Sequence, residues 1–287
     1  MSKIILLLAT FSIANIWAEH IVSYDVGGLT FRYDRDAPKR GACVTGAVGH
    51  PSAITIPASE KLPLGEVCSG CDGVHFEDEL GEIVDIPIVE VAQEAFRGTG
   101  RQDEGLREVV IQGSLVGIGA GAFMGNAMLG HVVSYGEIAA IGGNAFQGCH
   151  NLTSVVSHKG IGVIGASAFE NCSKLIEVDV TGNPPVEVKS HAFLYSALAR
   201  FPFGEGVKIG DGAFQSCDFV RLELPEGVEL GEGAFSYNSA LRSVVLPASV
   251  RVLPKSTFAY CDNLTDVSVP GGLERIKDSA FCGCRGL

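Results

Sequence analysis

Runs of basic residues are missing from this 287-residue sequence, which carries 21 Lys and Arg against 33 Asp and Glu, a formal charge of −12. A nucleic-acid partner is therefore not expected, because displacing phosphate counterions takes clustered Lys and Arg. Electrostatic docking on anionic lipid is disfavoured for the same reason. Also missing are a Gly-x-Ser-x-Gly elbow, a phosphate-binding Gly-rich loop ending in Lys-Ser/Thr, and His-Glu-x-x-His. The 7 His are scattered. No enzyme, cofactor or metal centre is expected from such a sequence.

A long apolar run is absent too. The stretch Ile4 to Trp17 is about 14 residues, interrupted by Ser12 and Asn15, and falls short of the roughly 20 needed to span a bilayer. Preceded by Lys3 and followed by Ala18 and Glu19, it reads as a secretory signal peptide over residues 1–18. The remaining chain is expected to be secreted or held at the cell surface, with no integral membrane segment. A composition 46% hydrophobic and 19% charged is that of a folded protein.

What the sequence does have is a period. Nine phenylalanines, Phe96, Phe123, Phe146, Phe169, Phe193, Phe214, Phe235, Phe258 and Phe281, recur at spacings of 27, 23, 23, 24, 21, 21, 23 and 23. All but Phe258 follow alanine, and each has an aliphatic residue five positions earlier, from Val91 and Ile118 to Leu253 and Ile276. A small or polar residue, often Cys, comes three positions later, and in most units a leucine follows at six, as at Leu152, Leu175 and Leu264. Alternating stretches such as Leu175-Ile-Glu-Val-Asp-Val180 then predict a strand with one buried face. A unit this small cannot bury its own apolar side, so successive units must stack into a solenoid with every Phe above the last. Small Ala is expected to let the turn approach its neighbour, and the recurring Gly to adopt backbone angles that other residues avoid.

Two segments, Ile164-Gly-Ala-Ser-Ala-Phe-Glu-Asn-Cys172 and Leu241-Arg-Ser-Val-Val-Leu-Pro247, together with the period, resemble the BspA-like leucine-rich repeat family. The resemblance covers about 200 residues. It implies an α/β leucine-rich-repeat solenoid, mainly β, with parallel stacked strands and short helical or 3-10 turns. Residues 88–287 form the expected array of about nine units, the last incomplete at Leu287, and residues 19–87 an N-terminal β-rich cap or leader. Family members are secreted or surface proteins implicated in adhesion, so the resemblance implies a protein ligand on a host or neighbouring cell. A structural or envelope-associated module without an external ligand is the alternative.

The ligand face is sought among outward strand residues, which vary without cost to the core. One column reads Glu108, His131, Ser154, Glu177, Arg200, Arg221, Ser243, Asp266, and the next Val110, Val133, Val156, Asp179, Pro202, Glu223, Val245, Ser268. The three valines offer an apolar anchor, and Arg200 and Arg221, with His131, Glu177, Asp179 and Glu223 around them, a charged one. Ser134 and Ser157, polar where an aliphatic is usual, are expected to bulge their coils or pack on the cap.

Five of the 9 cysteines, Cys149, Cys172, Cys217, Cys261 and Cys284, hold the +3 position and read as small buried residues with a weak donor. Disulfides Cys149–Cys172 or Cys261–Cys284 are an open alternative. Cys68-Ser-Gly-Cys71, with His75 nearby, lacks the second pair a zinc site needs, so a local or cap-stapling disulfide, with Cys43 as a third candidate, is favoured over zinc or thiol chemistry. Asn151, Asn171 and Asn263 begin N-glycosylation acceptor patterns, and the same asparagines also serve the unit's turn.

Overall fold

The computed structural model describes residues 21–26, 29–34, 42–47, 51–57, 59–63, 83–98 and 105–287. The signal segment 1–18 and the Cys68, Cys71 and His75 group lie outside the described residues.

Stacking of parallel strands organises the chain. Strands β1 (Ile21–Val26), β2 (Leu29–Asp34) and β3 (Ala42–Ala47) form an antiparallel meander, and β3 then pairs parallel with β6 (Ile83–Val91). Strand β5 (Ser59–Pro63) lies antiparallel on β6, while β4 (Ala53–Ile56) pairs parallel with β7 (Glu108–Ile111). From there each unit, or coil, supplies one short strand to each of two rows.

The first row holds the aliphatic residue that precedes each Phe. It continues through β8 (Gly117–Ile118), β10 (Ile138–Ile141), β12 (Ile161–Ile164), β14 (Glu187–Val188), β15 (Lys208–Ile209) and β17 (Glu229–Leu230) without interruption, and β19 (Val252–Leu253) and β21 (Arg275–Ile276) pair beyond it. The second row runs β4, β7, β9 (His131–Ser134), β11 (Ser154–Ser157), β13 (Glu177–Val180). It stops there and resumes as β16 (Arg221–Glu223), β18 (Ser243–Val245) and β20 (Asp266–Ser268).

Between the rows lies the phenylalanine ladder. Consecutive rings from Phe96 to Phe281 are 5.0–5.8 Å apart with planes within 15° of parallel, close to the ~4.8 Å step of adjacent parallel strands. The seven rings from Phe123 to Phe258 are fully buried, and each burial contributes about 2–3 kcal/mol before stacking is added. The Phe N–H of each coil donates to the carbonyl of the residue before the next coil's Phe, as from Phe146 to Ala168 and from Phe169 to Ala192, both 2.7 Å. The preceding Ala, 0% exposed at Ala145, Ala168, Ala192 and Ala213, leaves no room for a larger side chain.

The turn around each Phe has a fixed conformation. Positive φ occurs two residues before every one of the nine, from Glu94 at 54° to Ser279 at 58°, and two residues after most, as at Asn171, Tyr195, Ser216, Tyr237 and Tyr260 (56–60°). These left-handed residues stop helix propagation. Overlapping i+3 to i bonds, such as Ala145 N–H to Gly142 O and Gln147 N–H to Asn144 O, therefore stand where short helical or 3-10 turns were expected, and no helix is present among the described residues.

The recurring glycine, four residues before Phe, is not one of the left-handed positions. A Cβ on Gly119, Gly142, Gly165, Gly210 or Gly231 would lie 2.4–2.7 Å from the backbone of the preceding coil. Close approach requires glycine there, and backbone freedom is needed elsewhere, at other glycines such as Gly121, Gly212 and Gly233 and at Ser, Asn and Tyr in the same turns. The expected bulges at Ser134 and Ser157 are also absent. Strands β9 and β11 pair in continuous register. Both serines are 0% exposed, and each hydroxyl donates to a local carbonyl, Gly136 O at 2.9 Å and Gly160 O at 3.0 Å, so a polar residue sits in the core with its donor satisfied.

Candidate functional site

The two outward columns have the register expected for them. Glu108, His131, Ser154 and Glu177 are direct neighbours across β7, β9, β11 and β13, and Val110, Val133, Val156 and Asp179 form the adjacent column. The three valines are half-buried, while Glu108, His131, Glu177 and Asp179 are exposed. The imidazole of His131 lies 3.0 Å from Ser154 Oγ through Nδ1, which ties it to its neighbour on the next strand.

The row then breaks at Phe201-Pro202-Phe203. Arg200 still makes an isolated parallel bridge to Glu177, but Pro202 has no N–H to extend the pairing. The Phe203 N–H instead donates to the Phe201 carbonyl at 3.1 Å, closing a three-residue turn around the proline. The Phe201 and Phe203 rings turn toward the ladder, edge-on to Phe214 at 5.0 and 5.4 Å. Phe219 of the next coil is edge-on to the same ring at 5.8 Å.

The break opens a shallow depression of about 490 Å³ lined by Ala199, Arg200, Phe201, Phe203, Phe219, Arg221, Leu222 and Glu223. Three of the residues picked out on the strand face thus meet here, Arg200, Arg221 and Glu223. Arg221 is paired with Glu223 at 2.8 Å, both side chains well exposed, so the pair is screened by solvent and stays available to a partner. Arg200 has no ion pair or side-chain hydrogen bond among the described residues, so its donors face solvent. The valine stripe lies apart, beginning two strands before Arg200 at Val156.

Two site residues escaped the pattern reading. Ile176 and Val220 are 56% and 51% exposed and flank Ala199 on the row beside the arginines. An aliphatic residue next to an inward leucine or phenylalanine looks like core in sequence. Strand alternation gives no signal either, since it places Ile176 and Val220 on the same face as the buried Val178 and Leu222.

The cysteine column has a single chemical role. Sγ of Cys149, Cys172, Cys217, Cys261 and Cys284 donates to the carbonyl of the preceding coil's Phe at 3.1–3.3 Å. Asn126 and Asn238 make the same bond from Nδ2 at 2.7 and 2.8 Å. All five thiols are unbonded to one another, so the alternative Cys149–Cys172 and Cys261–Cys284 disulfides are not formed; every sulfur points along the axis at a carbonyl. Burial pushes the Cys149, Cys217 and Cys261 thiols up to about 12 and Cys172 well above its ordinary value, which leaves them unreactive. Cys43 lies in β3, and its candidate partners Cys68 and Cys71 lie outside the described residues.

The acceptor asparagines are all engaged in turns between coils. Asn151 Oδ1 accepts from Lys174 Nζ at 2.6 Å, Asn171 is a left-handed residue with φ 60°, and Asn263 Nδ2 donates to Ser239 O at 2.8 Å. Among the described residues no helix is long and apolar enough to cross a membrane, and no group of three or more His, Cys, Asp or Glu could hold a metal ion.

Comparison with known proteins agrees with this architecture. Among solved structures, the pneumococcal vaccine antigen PcpA superposes with a TM-score of 0.51 at 14% identity, over 88% of this chain and 71% of that one, and shares the fold. A leucine-rich repeat protein of Treponema pallidum is 23% identical, with 91% and 88% of the two chains covered and a TM-score of 0.45. A leucine-rich cell surface protein of Faecalibacterium prausnitzii is 20% identical, with 92% and 87% covered and a TM-score of 0.42. No curated protein matches. The model of the BspA type leucine rich repeat region matches residues 89–218 and 186–287 in six copies, and with the ladder, the glycine contacts and the thiol column on one unit, the chain belongs to that family.

Proposed function

We propose that this is a secreted or cell-surface binding protein, without enzymatic activity, that engages a protein on a host or neighbouring cell through the broken strand face, in the service of adhesion. The observation that carries this reading is the depression at Phe201-Pro202-Phe203, where the unpaired Arg200 and the preset Arg221–Glu223 pair stand beside the exposed Ile176 and Val220. Arginine and aromatic side chains, here Arg200 and Arg221 beside Phe201 and Phe203, are the residue types enriched in protein-binding hot spots, and Ile176 and Val220 add apolar area around them. His131, Glu177 and Asp179 and the half-buried stripe Val110, Val133, Val156 extend the same face toward the N-terminal strands as a rim.

The test is capture of surface-biotinylated proteins from intact cells on beads carrying the chain. Reversing both charges, Arg200→Glu with Arg221→Glu, is expected to lower capture at least tenfold while the melting temperature stays within about 2 °C, since exposed charges add little to stability. Val133→Glu is expected to have a smaller effect on capture. Undiminished capture by the double reversal, in a folded protein, would reject the break as the binding site.

A further inference from the structure

A second surface lies on the opposite edge, along the turns. The position two residues after each Phe is left-handed in eight of the nine coils. Gly125, Gly148 and Gly283 fill it at no cost, and Asn171 and Ser216 at a small one. Tyr195, Tyr237 and Tyr260 fill it with φ of 58°, 60° and 60°, a conformation in which a bulky side chain is an outlier. The three rings are 54%, 49% and 45% exposed, and none of their hydroxyls has a hydrogen-bond partner among the described residues. Glycine would serve the backbone better at these positions. Strained, exposed residues of this kind mark contact sites.

The register of the rings limits what they can hold. Tyr237 and Tyr260 are on adjacent coils and stack at 4.7 Å with planes 16° apart. Tyr195 is two coils from Tyr237, and the coil between them carries Ser216. Backbone bonds tie the three positions in sequence, Tyr195 N–H to Gln215 O and Ser216 N–H to Ser236 O. The phenylalanines of the same coils step by 5.3 Å and 5.3 Å, so positions 195 and 237 stand two such steps apart along the solenoid, with only the small Ser216 side chain on the coil between them. A planar group placed there would sit at the ladder's own stacking distance from both phenols.

Charge decides between planar groups. The turns of the three coils carry Asp211, Asp218 and Glu232 as exposed acids, against exposed Lys189 and His191 before Phe193, and Asp218, two residues from Ser216, is the acid nearest to it in sequence. Two aromatic faces with carboxylates at the rim favour a flat cation over a neutral ring. We infer that the Tyr195–Ser216–Tyr237 gap is a docking slot for an arginine side chain carried by an extended basic segment of a partner protein, with the guanidinium sandwiched between the phenols and paired with Asp218. Tyr260 continues the platform on the far side. The slot is independent of the strand-face depression, and either can fail without the other.

The probe is an acetylated, amidated Gly-Arg-Gly-Arg-Gly peptide titrated into the whole chain labelled at its tyrosine rings, read by NMR shift changes. Saturable shifts of the Tyr195 and Tyr237 ring signals are expected, with affinity at least fivefold weaker for the lysine peptide and for the neutral citrulline peptide. Tyr237→Gly relieves the left-handed strain and so folds, and is expected to weaken binding at least fivefold. Ser216→Tyr fills the gap and is expected to abolish binding while the melting temperature holds. The assignment is overturned if the arginine peptide moves no ring signal, if Ser216→Tyr binds as tightly as the parent, if the lysine peptide binds equally, or if maltoheptaose saturates the same rings where the arginine peptide does not.

Discussion

The turn side and the strand side of this solenoid respond differently to the same change in length. The coils beginning at Phe193 and Phe214 are 21 residues long where 23 is usual. On the turn side the shortening leaves no trace: ring spacings of 5.3 Å there fall within the 5.0–5.8 Å of the longer coils. On the strand side the pairing fails in the first of the two, falling from the four-residue strand β13 to the single Glu177–Arg200 bridge, and is restored in the second, where β16 pairs with β18 over three residues. The ladder sets the pitch, and the strand face absorbs variation. The proposed binding surface lies on the side that can change without disturbing the ladder.

The most severe way to break this comparison is to remove a rung. Phe169→Ala deletes a ring that is 0% exposed and stacked on both sides. It is expected to cost about 3–5 kcal/mol, against about 1–2 kcal/mol for the partly buried Phe203→Ala at the break. Urea unfolding of both variants checks it, and equal losses would mean that the two sides carry equal weight. Next in size is Gly119→Ala, whose Cβ would meet Gln93 N at 2.4 Å. Overpacking of this kind is expected to cost about 1–3 kcal/mol, visible as a lower denaturation midpoint.

The buried thiols sharpen the comparison through pH. Cys149, Cys217 and Cys261 are raised by burial from 9.0 to about 12. A group whose folded value lies above its unfolded one contributes stability that is complete below the unfolded value and is lost as pH rises toward the folded one. Unfolding should therefore become easier progressively above pH ~9, and Cys149→Ala combined with Cys217→Ala should flatten that dependence even as it lowers stability at neutral pH. The smallest effect is expected at Ser256, left-handed at φ 56°. Ser256→Gly should raise stability by about 0.5 kcal/mol, a gain readable as a slightly higher melting temperature.

The ladder, the donor at +3 and the strand register were legible in the sequence because each depends on one residue type repeating at one offset. The break was half-legible: Pro202 and the two shortened units announced it, but the turn it forms and the rings it pulls inward depend on Phe214, a coil away. The glycine rule was misread, because a requirement for space and a requirement for positive φ select the same residue. The left-handed residues two before each Phe, such as Glu94, Asn144, Ser167 and Gly212, vary in type and share only a position. Ile176 and Val220 went unnoticed since apolar residues beside inward Leu175 and Phe219 carry no local sign of facing water.

The bonds from each Phe N–H to the next coil's carbonyl lie along the solenoid axis, one set per coil. A pull on the two ends would load them in series, so the weakest junction yields first and its neighbours stay closed. Each coil released adds about 80 Å of slack, taking 23 residues at roughly 3.4–3.6 Å each. A protein holding two surfaces together in flow would then lengthen in steps, dissipating load coil by coil before the grip at either end is tested.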